Sequence, residues 1–240
     1  MKPTVRIFAA MRTTYSTKTF HHRGFTLVEL LVVITIIAVL ASLVFTLSSR
    51  AVNSAQKAVC VTNMRGVGSA IVAYATDNNG RLPGPLNTGQ TAQYNGDYNG
   101  TPKGSTPALA TYIGRYMQSE IDFPPGGKTF LPNFGCPSLL KRIPKGSNPV
   151  LYRMVGNNEL LKNDGTKGLV WGYPSVAPIP WRMDEINPQS AGRVIGMIEQ
   201  DDTVVPNPWG PGASGPAHGN QRMAMYFDWS IRPVNVSAWK

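Results

Sequence analysis

The chain has 240 residues, of which 42% are hydrophobic and 15% are charged, with 24 glycines and 20 prolines. This composition excludes a coiled coil, a collagen-like fibre and a disordered chain, and it indicates a loop-rich body with a core of its own. The net charge is +10, but residues 1–24 contribute +5 of it because they hold five Lys or Arg and no acid. The other basic residues are scattered along the chain. A nucleic-acid partner is therefore not expected.

Residues 25–47 form an apolar run in which Glu29 is the only charged residue. As a helix, this run would be about 34 Å long, which is enough to cross the hydrocarbon core of a membrane. A secretory signal peptide would have a shorter apolar region that ends in a small-residue cleavage site. A plain transmembrane anchor fits the length, but it gives no reason to place a carboxylate in lipid, where it is costly unless it has a partner.

The sequence GFTLVEL at 24–30, after a basic leader and before the apolar run, closely resembles the processing site of type IV prepilins and type II secretion pseudopilins. The resemblance implies that prepilin peptidase cleaves after Gly24 and methylates the new amine of Phe25. It also implies that Glu29 pairs with the N-terminal amine of a neighbouring pilin or pseudopilin subunit, so that the N-terminal helices pack together in a filament.

The basic leader is expected to stay in the cytoplasm by the positive-inside rule. The protein would then cross the bacterial inner membrane once, with its C-terminal head in the periplasm or, after filament assembly, outside the cell. Beyond the membrane, apolar residues at 60, 64, 67, 71 and 74 have helical spacing. The helix is expected to continue to about Thr76, before the turn sequence DNNG at 77–80.

These boundaries predict a leader over 1–24 that is removed, a transmembrane and stalk helix over 25–76, and a head over 77–240. The head is expected to place a small antiparallel sheet against the long helix, which makes the fold class α+β and resembles the lollipop shape of pilins. The topology of 84–190 stays open. The local predictions are a surface loop with room for one hairpin over 84–108, a helix over 111–121, irregular chain over 122–149, and strands over 169–173, 194–198 and 223–227.

Three short features narrow the resemblance: the sequence from Cys60 to Pro83, the tripeptide that begins at Cys136, and the nine residues between His218 and Asp228. They are similar to a subfamily of pilin-like proteins with a C-terminal motif of His, nine residues and Asp-Gly. Trp229 stands in place of the motif's glycine, and tryptophan is costly in the positive-φ turn that Asp-Gly forms readily. The motif is expected to make a turn, a buried strand and a second turn.

Cys60 and Cys136 would lie in an oxidising space, where a disulfide between them is chemically permitted. Two separately buried thiols are the alternative, because Cys60 also belongs to the apolar stripe. The spacing of the two cysteines does not predict a zinc site. No metal or other cofactor is expected, although His218, Asp228, Asp201 and Asp202 form a weak candidate set of ligands for a divalent cation.

The sequence does not predict an enzyme. Beyond the leader it has one histidine, and it lacks both the nucleophile elbow and the phosphate-binding loop. We expect a structural or assembly subunit of a type IV pilus-like or type II secretion pseudopilus-like filament. One alternative is a membrane-anchored surface binding module that does not polymerise and stacks sugars on its tryptophans, although filling of the core is favoured for these residues: Trp171, Trp181, Trp209, Trp229 and Trp239. A metal-dependent periplasmic enzyme on the same anchor is a third hypothesis.

Overall fold

A computed structural model describes residues 25–95, 108–117, 128–131, 133–143, 149–156, 158–203 and 213–238. The chain divides into two units, Met1–Ser48 and Ser49–Lys240. The described helices are α1 (Leu27–Asp77), α2 (Leu109–Met117), α3 (Pro137–Leu140) and α4 (Pro188–Ala191). The described strands are β1 (Gly89–Thr91), β2 (Gln93–Asn95), β3 (Lys128–Phe130), β4 (Val150–Met154), β5 (Ile195–Glu199), β6 (Gln221–Tyr226) and β7 (Ile231–Asn235).

The described part of the first unit is the apolar start of α1. Among the described residues, α1 is the one helix long and apolar enough to cross a membrane, with a mean hydropathy of 3.0 over its most apolar window and none of that window buried. Its large side chains, from Leu27 to Phe45, are exposed wherever they are described. This surface needs lipid or other helices to cover it.

The later part of α1 belongs to the second unit and has the predicted buried stripe. Cys60, Met64, Val67 and Ile71 are all at most 1% exposed. The helix ends at Asp77, one residue beyond the predicted end. Its terminal carbonyls are satisfied within the turn sequence that follows, where the backbone N–H of Gly80 donates to the carbonyl of residue 75 at 2.8 Å.

A five-stranded antiparallel sheet, in the order β1-β4-β5-β6-β7, forms the centre of the second unit. The α+β prediction of a long apolar helix and an antiparallel sheet is confirmed. The strands predicted at 194–198 and 223–227 correspond to β5 and β6, shifted by one and by one to two residues. A separate two-stranded sheet pairs β2 with β3.

The strand predicted over Leu169–Tyr173 is wrong. Its residues form a turn with one isolated bridge, Tyr173 to Ala177. The apolar residues are nevertheless buried: Trp171 is 1% exposed and lies against Phe227, with 5.4 Å between the ring centroids. Its indole N–H donates to the carbonyls of Val155 and Gly196. The apolar run therefore indicates core packing without a strand ladder.

Other local predictions also need correction. The helix predicted over 111–121 is α2, which begins two residues earlier and ends by Met117 in the described chain. The region 84–108 contains β1 and β2, which pair with other strands and not with each other. Residues 122–149, predicted to be irregular, include β3 and α3. The strands β4 and β7 were not predicted.

Close packing joins α1 to the sheet. A Cβ added at Gly68 would come within 2.9 Å of the Met225 sulfur, so the helix backbone lies directly on β6. Trp229, in the hairpin between β6 and β7, takes the positive φ of 63° that was expected to disfavour tryptophan. Its ring packs partly buried on the core, and this contact offsets the backbone cost.

Candidate functional site

The first candidate site is the start of α1. Gly24 lies outside the described residues, and Phe25 is 77% exposed. Thr26 caps the helix. Its backbone N–H donates to Glu29 Oε2 at 2.9 Å, and its hydroxyl donates to the same oxygen at 2.8 Å. In return, the Thr26 hydroxyl oxygen accepts the backbone N–H of Glu29 at 3.2 Å. This reciprocal pattern is a capping box. The carboxylate therefore has hydrogen-bond donors within its own chain before any neighbour arrives.

The second candidate site surrounds the two cysteines. The structure joins Cys60 of α1 to Cys136, the residue directly before α3, in a disulfide across 76 positions of sequence. The same segment makes two further contacts with α1: Asn63 Nδ2 donates to the carbonyl of residue 135 at 2.8 Å, and the Ser138 hydroxyl donates to Gln56 Oε1 at 3.1 Å. These contacts fix α3 against the helix, and both cysteines are 1% exposed.

His218 and Glu199 complete this cluster. Glu199 ends β5 with its side chain fully buried, and His218 lies just before β6 with 6% of its side chain exposed. His218 Nε2 is 3.6 Å from Glu199 Oε1 and 3.6 Å from Cys136 Sγ. One ligand atom from each of Cys60, Cys136, Glu199 and His218 lies within 4.8 Å of the others. The cluster thus brings together two sulfurs, an imidazole and a carboxylate.

The two oxygens of Glu199 differ in their partners. Oε2 accepts the backbone N–H of Met223 at 2.8 Å, whereas Oε1 is buried and has no hydrogen bond within the part of the chain that the structure describes. The Tyr152 hydroxyl is also buried, and none of the described residues hydrogen-bonds to it. Burial raises the pKa of Tyr152 well above its ordinary value, and the negative charge of Glu199 raises it further. Tyr152 thus remains a neutral phenol, and Glu199 keeps one open oxygen.

The acidic residues proposed as metal ligands do not gather around His218. Asp228 lies beyond the opposite end of β6, and six residues of strand span roughly 20 Å. Its Oδ1 accepts the backbone N–H of Ser230, and its Oδ2 pairs with Arg232 at 3.1 Å. Asp202 Oδ1 accepts a backbone N–H at 2.7 Å from residue 215. Both acids thus form turns and surface contacts.

Asp201 has a different environment. It is fully buried, and Arg222, at 1% exposure, donates Nε to its Oδ2 at 2.6 Å and Nη2 to its Oδ1 at 3.0 Å. Arg222 Nη2 also donates to the Thr203 hydroxyl at 2.6 Å. The bidentate pair already uses the carboxylate as a structural acceptor. Asp201 is therefore an ion-pair residue here and not a free ligand.

A cleft of about 530 Å³ opens beside the cysteine cluster, and His218 forms part of its wall. Lys57 and Arg142 also line it. Their charged groups bind neutral oxygens: Lys57 Nζ donates to Gln221 Oε1 at 2.9 Å, and Arg142 Nη1 donates to the carbonyl of residue 216 at 2.7 Å. The described residues that line the cleft include no carboxylate. The cleft gives solvent a path to the imidazole.

The tryptophans named for sugar stacking do not support that role where they are described. Trp171 and Trp181 are 1% and 7% exposed and belong to the core, and the partly buried Trp229 packs against the core. Trp209 and Trp239 lie outside the described residues. Stacking on a sugar needs an exposed ring face, which the two most buried tryptophans do not offer.

Sequence reasoning missed Glu199, Arg222 and Tyr152. A signal for the first two was present, because Glu199 follows the apolar run at 194–198 and Arg222 precedes the run at 223–227. A charged residue at the end of a strand that is buried on both faces is itself buried, so its side chain needs an opposite charge or a hydrogen-bond partner. The sequence alone could not show which cross-strand neighbour each one meets.

Comparison with known proteins supports the first site. Residues 19–45 match the family model described as the prokaryotic N-terminal methylation motif. No curated protein and no solved structure matches the chain. The match identifies a prepilin-type signal at the start of the chain, and with α1 it indicates a protein anchored by one membrane helix.

Proposed function

We propose that the chain is a structural or assembly subunit of a type IV pilus-like or type II secretion pseudopilus-like filament. The observation that carries the proposal is the methylation motif at 19–45 on a helix whose apolar surface is fully uncovered. Prepilin peptidase would cleave after Gly24 and methylate Phe25. The leader would lie in the cytoplasm and the head, over 77–240, in the periplasm or on the filament surface.

The apolar helix supports assembly as well as anchoring. In the membrane, lipid covers its side chains, and in a filament neighbouring helices would replace the lipid. Glu29 would select which helices replace the lipid, because a carboxylate in an apolar bundle is stable only when it is paired. Thr26 gives the carboxylate two hydrogen bonds but no opposite charge. The new amine of a neighbour's Phe25 would supply that charge in the assembled filament.

Intact mass and N-terminal sequencing of the protein from its native membrane test the processing step. A chain that begins at N-methylated Phe25 is expected, and a chain that keeps its leader would overturn the proposal. A sheared extracellular fraction, analysed in parallel, tests polymerisation. Processed protein in that fraction supports a filament subunit, whereas processed protein confined to the membrane under piliating conditions supports the anchored binding module.

The Glu29→Gln variant separates anchoring from assembly. It removes the charge but keeps a side-chain oxygen that can accept from Thr26, so the helix should still insert and the leader should still be cleaved. Incorporation into sheared filaments is expected to fall at least tenfold. Thr35→Ala is the matched control, because the Thr35 hydroxyl donates to the carbonyl of Val32 within its own helix and carries no charge. Equal incorporation of both variants would refute the proposed role of Glu29.

A further inference from the structure

The cysteine cluster is the one described group in which four side chains could hold a metal ion together. We propose that Cys60, Cys136, His218 and Glu199 form a tetrahedral Zn²⁺ site when the disulfide is reduced, so that the same two sulfurs either bind each other or bind the ion. The ligand set, two thiolates with an imidazole and a carboxylate, is of the kind that zinc prefers.

The distances fit this geometry. With Zn–S bonds of about 2.3 Å and Zn–N or Zn–O bonds of about 2.0–2.2 Å, the ligand atoms of a tetrahedral site are roughly 3.3–3.8 Å apart. His218 Nε2 already lies 3.6 Å from both Cys136 Sγ and Glu199 Oε1. The other separations among the four atoms are within 4.8 Å. The main change required is the separation of the two sulfurs to about 3.8 Å.

Glu199 is the independent observation that favours a ligand. Its Oε1 is fully buried, has no hydrogen bond from any described residue and lies 3.6 Å from His218 Nε2 within the cluster. The 3.6 Å contact with His218 is longer than a hydrogen bond, and a buried carboxylate oxygen without a hydrogen bond is costly. An ion at the centre of the cluster would satisfy Oε1, while Oε2 keeps its bond from the backbone N–H of Met223. That bond holds the carboxylate in place, as outer hydrogen bonds do in metal sites.

The position in the fold also suits a structural ion. The four ligands come from α1, the residue before α3, the end of β5 and the loop before β6, so the ion would join the helix to the sheet as the disulfide does. The cleft beside His218 provides an entry path. Each side chain is at most 6% exposed, which would exclude water from the first coordination shell.

Oxidation and metal binding exclude each other. When an added disulfide such as oxidised glutathione accepts two electrons from the two thiolates, the Cys60–Cys136 bond forms, two glutathione thiolates leave and the ion is released. The reverse change needs a dithiol reductant, which donates two electrons to the Cys60–Cys136 bond and is itself oxidised to a disulfide, so that the two cysteine thiolates are free to bind the ion.

Cobalt(II) titration of the full-length chain in detergent micelles tests the site. The protein should carry no polyhistidine tag, and His21 and His22 should be replaced by alanine so that leader imidazoles cannot bind. After reduction, one Co²⁺ per chain is expected, with a thiolate-to-cobalt charge-transfer band and the intense visible bands of a tetrahedral site. Zn²⁺ should displace it, and oxidised glutathione should release it. The oxidised chain should show neither band. Equal binding by the oxidised chain, or no binding by the reduced chain, would overturn the proposal.

Variants test the individual ligands. His218→Ala and Glu199→Gln should each weaken Co²⁺ binding by more than about 100-fold, beyond the 10- to 100-fold cost of losing an outer-shell group. Asp228→Asn, which changes the other end of the same sequence motif, should leave the affinity unchanged. Wild-type affinity in either ligand variant would contradict the assignment.

X-ray absorption of the reduced, zinc-loaded wild-type chain provides a measurement that does not depend on the folding of a variant. Two sulfur and two nitrogen or oxygen ligands are expected. A first shell with no sulfur, or with only one, would overturn the site.

Discussion

The buried pair of Asp201 and Arg222 allows a prediction whose size can be worked from the structure. The two side chains share two hydrogen bonds, and Arg222 Nη1 has no hydrogen-bond partner among the described residues. Asp201→Asn removes the negative charge and leaves a guanidinium enclosed by the core. Breaking one side of a buried pair typically costs about 3–5 kcal/mol, because the remaining charge is uncompensated. We expect a loss of this size in the free energy of unfolding.

The pH dependence follows from the same contacts. Burial alone would raise the pKa of Asp201, but hydrogen bonds from Arg222 and Thr203, together with the Arg222 charge, outweigh burial and lower it. A carboxyl with a lower pKa in the folded state adds stability above its unfolded pKa of about 3.9. That contribution is lost as the pH falls through the folded value. The difference in stability between wild type and Asp201→Asn should therefore shrink below about pH 4.

Urea unfolding of the full-length oxidised chain in detergent, followed by fluorescence of the buried Trp171, measures these effects. Asp184→Asn is the matched control. Asp184 pairs with Arg182 on the exposed surface, so this substitution should not shift the unfolding midpoint measurably. Adding Arg222→Met to Asp201→Asn should recover much of the lost stability, since the isolated charge is then gone. A loss below 1 kcal/mol in Asp201→Asn, or no recovery in the double variant, would refute the reasoning.

Two further predictions use the same unfolding measurement. Gly156→Ala should destabilise the protein more than Gly165→Ala. Both glycines have positive φ, where a side chain costs about 1–2 kcal/mol. The new Cβ would clash with the Phe227 ring at Gly156 but has open space at Gly165, so equal losses would contradict the clash. Replacing Cys60 and Cys136 together by serine should lower the free energy of unfolding by about 4 kcal/mol under oxidising conditions, because the disulfide closes a loop between residues 76 positions apart and so restricts the unfolded chain. An unchanged unfolding midpoint would contradict a stabilising disulfide.

The sequence predicted those parts of the fold in which the local pattern of apolar residues matches the residues that are buried. The buried stripe of α1 and the strands β5 and β6 belong to this group, because their periodicity or unbroken apolar run results directly from packing. β7 was missed because Pro233 interrupts it. The proline fits since β7 is at the edge of the sheet, where a missing backbone N–H is tolerated. β4 was missed because prolines and glycines in the preceding region obscured a five-residue strand.

The two candidate sites also differ in how much of each could be predicted from the sequence. The processing segment is continuous in sequence, so GFTLVEL could be recognised without a structure. The cysteine cluster depends on the sheet register and on where α1 crosses it, and Cys136 and His218 are 82 positions apart. No local pattern reports that proximity. The metal hypothesis grouped His218 with Asp228, Asp201 and Asp202. In the structure, the groups beside His218 include Glu199, Cys60 and Cys136, while Asp201 pairs with Arg222 and Asp228 pairs with Arg232.

The edges of the five-stranded sheet affect how heads would interact when many of them are held close together. One edge, β1, has only three residues and an irregular register, and the other, β7, carries Pro233 and the exposed Arg232. Short, irregular, proline-containing and charged edges resist the addition of a strand from another molecule. If filament assembly holds many heads side by side, these edges would keep neighbouring sheets from merging into an aggregate. Contacts between heads would then depend on side chains, whose identity can change without altering the sheet.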